Sequence, residues 1–104
     1  MTPAEAERHL AAGGVVIDVR SAAEFRRGHL PGAVHLPFWA APFRALPVSD
    51  ANTPVLVYCG HGPRARMAGA ALRARGLRFV SLLEGHYAEW RRKGHAVDTS
   101  RRTR

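Results

Sequence analysis

The chain has one cysteine, one lysine and no long apolar run among its 104 residues. A lone cysteine excludes an internal disulfide, a Cys-x-x-Cys redox pair and any site built from several thiolates, and it suits a reducing compartment. The six histidines show no ligand spacing, so neither a metal nor another cofactor is expected. No apolar segment follows a basic start, and none approaches the roughly 18 residues that a membrane-crossing helix needs. A soluble, cytoplasmic protein without a membrane partner is the expectation. The scarcity of lysine is set against fifteen arginines and a formal charge of +8. Such a field draws small anions. Outside the clusters Arg91-Arg92-Lys93 and Arg101-Arg102-Thr103-Arg104 the charge is scattered, no nucleic-acid motif or aromatic platform accompanies it, and nucleic-acid binding is not expected.

What the chain does have is a dense stretch from 55 to 76, VLVYCGHGPRARMAGAALRARG. Val55 to Tyr58 is a short β-branched and aromatic run without alternation, as in a strand buried on both faces of a parallel sheet. Gly60, Gly62 and Pro63 mark a sharp turn. From Arg64 the spacing predicts a helix to Gly76, with Met67, Ala70, Ala71 and Ala74 on its inner side. Cys59 thus falls between strand and helix, where converging backbone amides and a helix N-terminus favour an anion, with the Arg64 guanidinium adding to their effect. A thiolate is such an anion, which makes Cys59 a candidate nucleophile. A buried structural cysteine would explain neither the flanking glycines nor the arginine.

The remainder alternates helices and strands. Thr2-Pro3-Ala4-Glu5 has the hydroxyl, early proline and third-position glutamate of a helix start, and Gly13-Gly14 ends that helix. Val15 to Val19 reads as a buried strand. Ser21-Ala22-Ala23-Glu24 is a second capping box, opening a short helix to about Arg27. Gly28 to Gly32 is turn chemistry, Ala33 to Leu36 is briefly extended, and residues 38–46 suit one helical turn or two, interrupted by Pro42. Arg78 to Leu83 reads as a further strand. Gly85 turns the chain into a last helix over His86 to Lys93, capped by Gly94. Alternation of this kind implies a parallel sheet with helices on both faces and a site beyond the carboxyl ends of its strands, where Cys59 falls. One domain over residues 1–98 and a basic polar tail over 99–104 are expected.

Two blocks in this order, VVIDVRSAAEFRRGHLPGAVHLP at 15–37 and VLVYCGHGPRA from 55, followed by LRARGLRFVSLLEGHYAEWRRKGHAV, carry a resemblance. Over roughly residues 4 to 97 the chain resembles a single-domain rhodanese-like sulfurtransferase. The resemblance implies a three-layer α/β fold with a parallel sheet of four or five strands. It implies thiosulfate sulfurtransferase activity in which Cys59 carries the transferred sulfur as a persulfide, received from thiosulfate or another small anionic donor and passed to cyanide, a thiol or a protein acceptor. The loop Gly60, His61, Gly62, Pro63, Arg64 and Ala65 would bind the anion, through its amides except that of Pro63, with Arg64 also attracting the donor. His61 reads equally as a donor contact and as an exposed loop imidazole. Asp18, Arg20, Glu24 and His29 read as structural support that pins the strand end, the short helix and the turn.

Two departures from the family pattern stand out. The glycine pair usual before the last helix is here Gly85-His86, and the first edge strand has almost no sequence to form from, which leaves its neighbour open to pairing. Other functions remain open at this point. Rhodanese-like phosphatases and arsenate reductases place five residues between cysteine and arginine, whereas four separate Cys59 from Arg64. A non-catalytic binding domain and a sulfur relay to a protein partner are the others. Phe38, Trp39 and Phe43, with Arg44, follow the first block; core packing accounts for the aromatics, and Arg44 is the residue of this group that would touch a donor.

Overall fold

The computed structural model describes residues 1–99. Eight elements follow one another: α1 (Pro3–Ala11), β1 (Val15–Asp18), α2 (Ala22–Arg27), β2 (Val34–His35), β3 (Val55–Tyr58), α3 (Pro63–Ala74), β4 (Val80–Leu82) and α4 (His86–Arg92). Both capping boxes form: Thr2 and Glu5 exchange side-chain and backbone bonds at the start of α1, and Ser21 and Glu24 do the same at α2. The four strands are parallel in the order β2-β1-β3-β4. Val15 lies opposite Val55 and Asp18 opposite Tyr58, so the carboxyl ends of β1 and β3 finish level.

The pleat sends alternate strand residues into two cores. Ile17, Val55 and Val57 pack with Ala65, Ala68 and Leu72 of α3 on one face. Val16, Leu56 and Tyr58 pack with Ala6 of α1 and Trp90 of α4 on the other. The result is the expected three-layer α/β arrangement with helices on both faces.

Several expectations are corrected. The inner side of α3 is Ala65, Ala68, Gly69 and Leu72, while Met67, Ala70 and Ala74 are exposed and Ala71 is half-buried. Alanines do not distinguish one helix face from another; Leu72, the one long aliphatic side chain in the second half, sets the phase. Gly69 faces β4, where an added Cβ would meet Leu82 and Val80 at ordinary contact distances of 3.5 and 3.6 Å. The helix starts at Pro63, a residue suited to a first turn that needs no amide. Residues 38–46 form consecutive turns, mostly three residues apart in their hydrogen bonds. Trp39 and Phe43 are not core residues: they are 57% and 68% exposed, and Trp39 lies under the Arg44 guanidinium, 5.2 Å from ring centroid to Cζ. Phe38 is half-buried against the core.

No fifth strand occurs among the described residues, yet the outer edge of β4 is not bare. The Met1 ammonium donates to Leu82 O at 2.7 Å, the Glu84 amide donates to Met1 O at 2.8 Å, and Arg73 Nη2 donates to Val80 O at 3.1 Å. Asp98 exchanges two backbone bonds with His29. Of the tail expected from residue 99, all but Thr99 lies outside the described residues.

Candidate active site

Strand β3 is buried at all four positions and delivers Cys59 directly beyond its carboxyl end. The chain then reverses through Gly60, His61 and Gly62 into α3. Gly62 has φ +133, a conformation that side chains disfavour. This turn folds the Gly62 amide back onto the sulfur, with N to Sγ at 3.0 Å. The main chain of Cys59 is held from the other side. Its carbonyl accepts the Tyr87 amide at 2.9 Å, its amide donates to His86 Nδ1 at 3.3 Å, and Gly60 O accepts the Ala88 amide at 3.1 Å. With the carbonyls of 59 and 60 bonded to α4, the turn is held from that side while the Gly62 amide bonds the sulfur. Those of Arg64 and Ala65 belong to the first turn of α3 and have no intrahelical acceptor.

Cys59 has no exposed surface, whereas His61, two residues on, is exposed. Arg64 does not point freely at the sulfur: its Nη1 and Nη2 bond Glu24 Oε1 and Oε2 at 2.7 and 3.2 Å. Those bonds hold the Glu24 carboxyl at about 2, well below its usual range, with the Ser21 contacts adding to the shift. The same pairing raises the pKa of Arg64, and Cys59 contributes to it through its charge. Sequence reasoning placed Glu24 with the structural residues and Arg64 with the anion loop; the structure joins them. Arg66 is a residue that reasoning missed. Its Nη1 stands 3.0 Å from where a Cβ on Gly62 would be, and no carboxylate among the described residues pairs with it.

Asp18, Arg20 and Tyr58 form a buried network behind the turn. Arg20 grips the Asp18 carboxylate through Nε and Nη2 and donates to Gly28 O. The Tyr58 hydroxyl donates to Asp18 Oδ2 at 2.7 Å and accepts the Leu30 amide at 3.0 Å. Burial opposes the Arg20 charge, but Asp18 outweighs it and raises the arginine's pKa. Burial, together with the Asp18 charge, pushes the Tyr58 hydroxyl far up, so it stays a donor. His29 lies apart from this network, stacked on Phe25 with ring centroids 3.8 Å apart and its Nδ1 2.8 Å from Phe25 O. A cavity of about 130 Å³ between α2 and α4 is lined by Arg20, Glu24, Arg27, Gly28, Tyr87 and Arg91, and Cys59 is not among its walls. Arg44 lies with Trp39, and its carbonyl accepts Arg75 Nη1. Among the described residues no group of histidine, cysteine and carboxylate side chains is arranged to hold a metal ion, and no helix is long and apolar enough to cross a membrane.

Residues 2–93 match the model of the rhodanese-like domain. The chain belongs to the rhodanese-like family. Among curated relatives of this rhodanese-like domain, the thiosulfate sulfurtransferase GlpE of Stutzerimonas stutzeri is 33% identical over 89 residues, which cover 86% of this chain and 81% of the relative. Among solved structures, the Alr3790 protein of Anabaena superposes with a TM-score of 0.85 at 24% identity, covering 95% of this chain and 82% of its own. The human single-domain sulfurtransferase TSTD1 superposes with a TM-score of 0.80, also at 24% identity, over 89% of this chain and 95% of its own. These two show a shared fold.

Proposed function

We propose that this rhodanese-like domain is a thiosulfate sulfurtransferase that carries sulfane sulfur on Cys59. The observation that supports this most directly is the Gly62 amide on Cys59 Sγ, in a turn whose remaining amides have their carbonyl ends tied to α4. A backbone donor aimed at the sulfur stabilises the same negative charge on a thiolate, and then on a persulfide.

In the first half-reaction the Cys59 thiolate attacks the outer sulfur of thiosulfate. A new sulfur–sulfur bond forms, the bond within thiosulfate breaks, and sulfite leaves with the electron pair. In the second, a nucleophile such as cyanide or a thiolate attacks the outer sulfur of the persulfide, and the Cys59 thiolate departs, ready for another cycle. Charge balances in each step, and no oxidant or reductant is consumed. Because Cys59 is fully buried, donor and acceptor reach it only when the turn opens, and Gly60 and Gly62 give that turn its freedom. With Arg64 committed to Glu24, the cation available to draw an anionic donor to the turn is Arg66.

The test is intact-mass measurement of the reduced protein after incubation with thiosulfate, beside the Cys59→Ser variant. A cyanide-labile gain of one sulfur atom, absent from the variant, is the expected result. A wild-type protein that gains no sulfur from thiosulfate or from other persulfide donors, or a variant that gains it equally, overturns the proposal.

A further inference from the structure

His86 is the one non-glycine residue with positive φ among those described, at +52. A left-handed backbone strains a side-chain-bearing residue in a way that glycine escapes. His86 is 8% exposed and makes a specific contact in return. The Cys59 amide reaches its Nδ1 at 3.3 Å. An amide only donates, so Nδ1 holds a lone pair, and the ring hydrogen of the neutral imidazole sits on Nε2. Nε2 and Cδ2 lie 3.4 and 3.5 Å from the point where a Cβ on Gly62 would stand. One ring therefore lies beside both ends of the turn that presents the sulfur: it bonds the Cys59 amide at one end and, at the other, borders the space next to the glycine whose amide bonds Sγ.

We infer that His86 is a positioning residue for the sulfur-carrying turn, acting as a neutral imidazole whose Nδ1 anchors the Cys59 amide. The inference rests on the sulfur-transfer reading for its kinetic consequences, though not for the anchor itself. A second proton would go to Nδ1 and face the Cys59 N–H, setting donor against donor. The anchor is then lost while the backbone strain remains. The surroundings resist that proton. Burial, Arg66 of α3, His61 of the turn and the Met1 ammonium beside β4 all lower the His86 pKa. The turn thus keeps its geometry below the pH at which an ordinary histidine charges and loses it in more acidic solution.

Two variants separate anchoring from filling of space. His86→Asn offers Oδ1 near the place of Nδ1, tolerates positive φ and does not titrate. His86→Gly removes strain and acceptor together. The expected result is that His86→Asn keeps kcat within about threefold and loses the acid limb of the pH profile, while His86→Gly loses about tenfold in kcat, the equivalent of one hydrogen bond, with KM for thiosulfate little changed. A His86→Gly enzyme with unchanged kcat and pH profile overturns the inference. NMR titration supplies a readout that needs no donor: the Cys59 amide shift should follow protonation of the His86 ring in the wild type and be flat with pH in His86→Asn. Absence of that co-titration overturns the anchor even if sulfur loads normally. Co-titration in a protein that never loads sulfur upholds the anchor and counts against the sulfurtransferase reading instead.

Discussion

The Arg64 guanidinium and the Glu24 carboxylate face each other edge to edge in two parallel bonds, joining the first turn of α3 to the first turn of α2 across forty residues of sequence. Planar pairing of this kind specifies orientation as well as attraction. The start of the helix that follows Cys59 is therefore set from outside the loop, by a residue that also caps its own helix through Ser21.

Glu24 supplies a pH signature. Its folded pKa of about 2 lies below the ordinary 4.5, so its contribution to stability is complete above the unfolded value and is lost as pH falls from there through the folded value. Thermal unfolding of the wild type should lose ground over that interval. Glu24→Gln should unfold at a lower temperature at neutral pH and show a shallower decline in acid; parallel curves for the two proteins would contradict the assignment.

Gly62→Ala should impair transfer far more than it impairs folding. A methyl at φ +133 meets Arg66 Nη1 at 3.0 Å and His86 Nε2 at 3.4 Å, and the turn that directs the Gly62 amide at sulfur must shift to relieve it. A fall in kcat of at least about tenfold is expected, because small misplacements at a reacting centre are costly. Steady-state kinetics beside a thermal melt will show whether the loss belongs to the site.

Arg66→Gln should raise the KM for thiosulfate about fivefold at low salt while leaving kcat nearly unchanged, as expected for loss of one exposed attracting charge. The difference should shrink as ionic strength rises. Arg44→Gln, at a side chain stacked on Trp39, should leave KM unaltered.

Tyr58→Phe tests the buried network. Removing the hydroxyl leaves the Leu30 amide without its acceptor and deprives Asp18 of one donor, at a cost of about 1–3 kcal/mol in denaturant unfolding. The Arg20 bonds to Asp18 persist, so the fold should survive and sulfur loading should proceed.

Local signals in the sequence carried far. The capping boxes at Thr2 and Ser21, the buried runs at Val15 and Val55, and the glycines around Cys59 are statements about neighbouring residues, and each element formed within a residue or two of its expected place. What escaped was nonlocal or degenerate. The alanines of α3 carry no directional information, so its buried face could not be phased until Leu72 and the proximity of β4 at Gly69 were known. Glu24 and Arg64 are forty residues apart, and nothing in either neighbourhood names the other. Trp39 and Phe43 are the kind of residue that cores are made of, yet they are exposed, with Arg44 over one of them. Histidine at 86 was visible as a departure from a glycine pair, but its partner is a main-chain amide, which leaves no trace in side-chain spacing. The closure of the β4 edge by Met1 and Arg73 was equally hidden.

The complete burial of Cys59 also governs how the protein ages. A thiol with no surface and no second cysteine in its chain is withheld from peroxide and from mixed disulfides, the first steps on the route to sulfinic and sulfonic acids. Damage then accrues only in the intervals when the sulfur is uncovered, so its rate is set by how often the site opens.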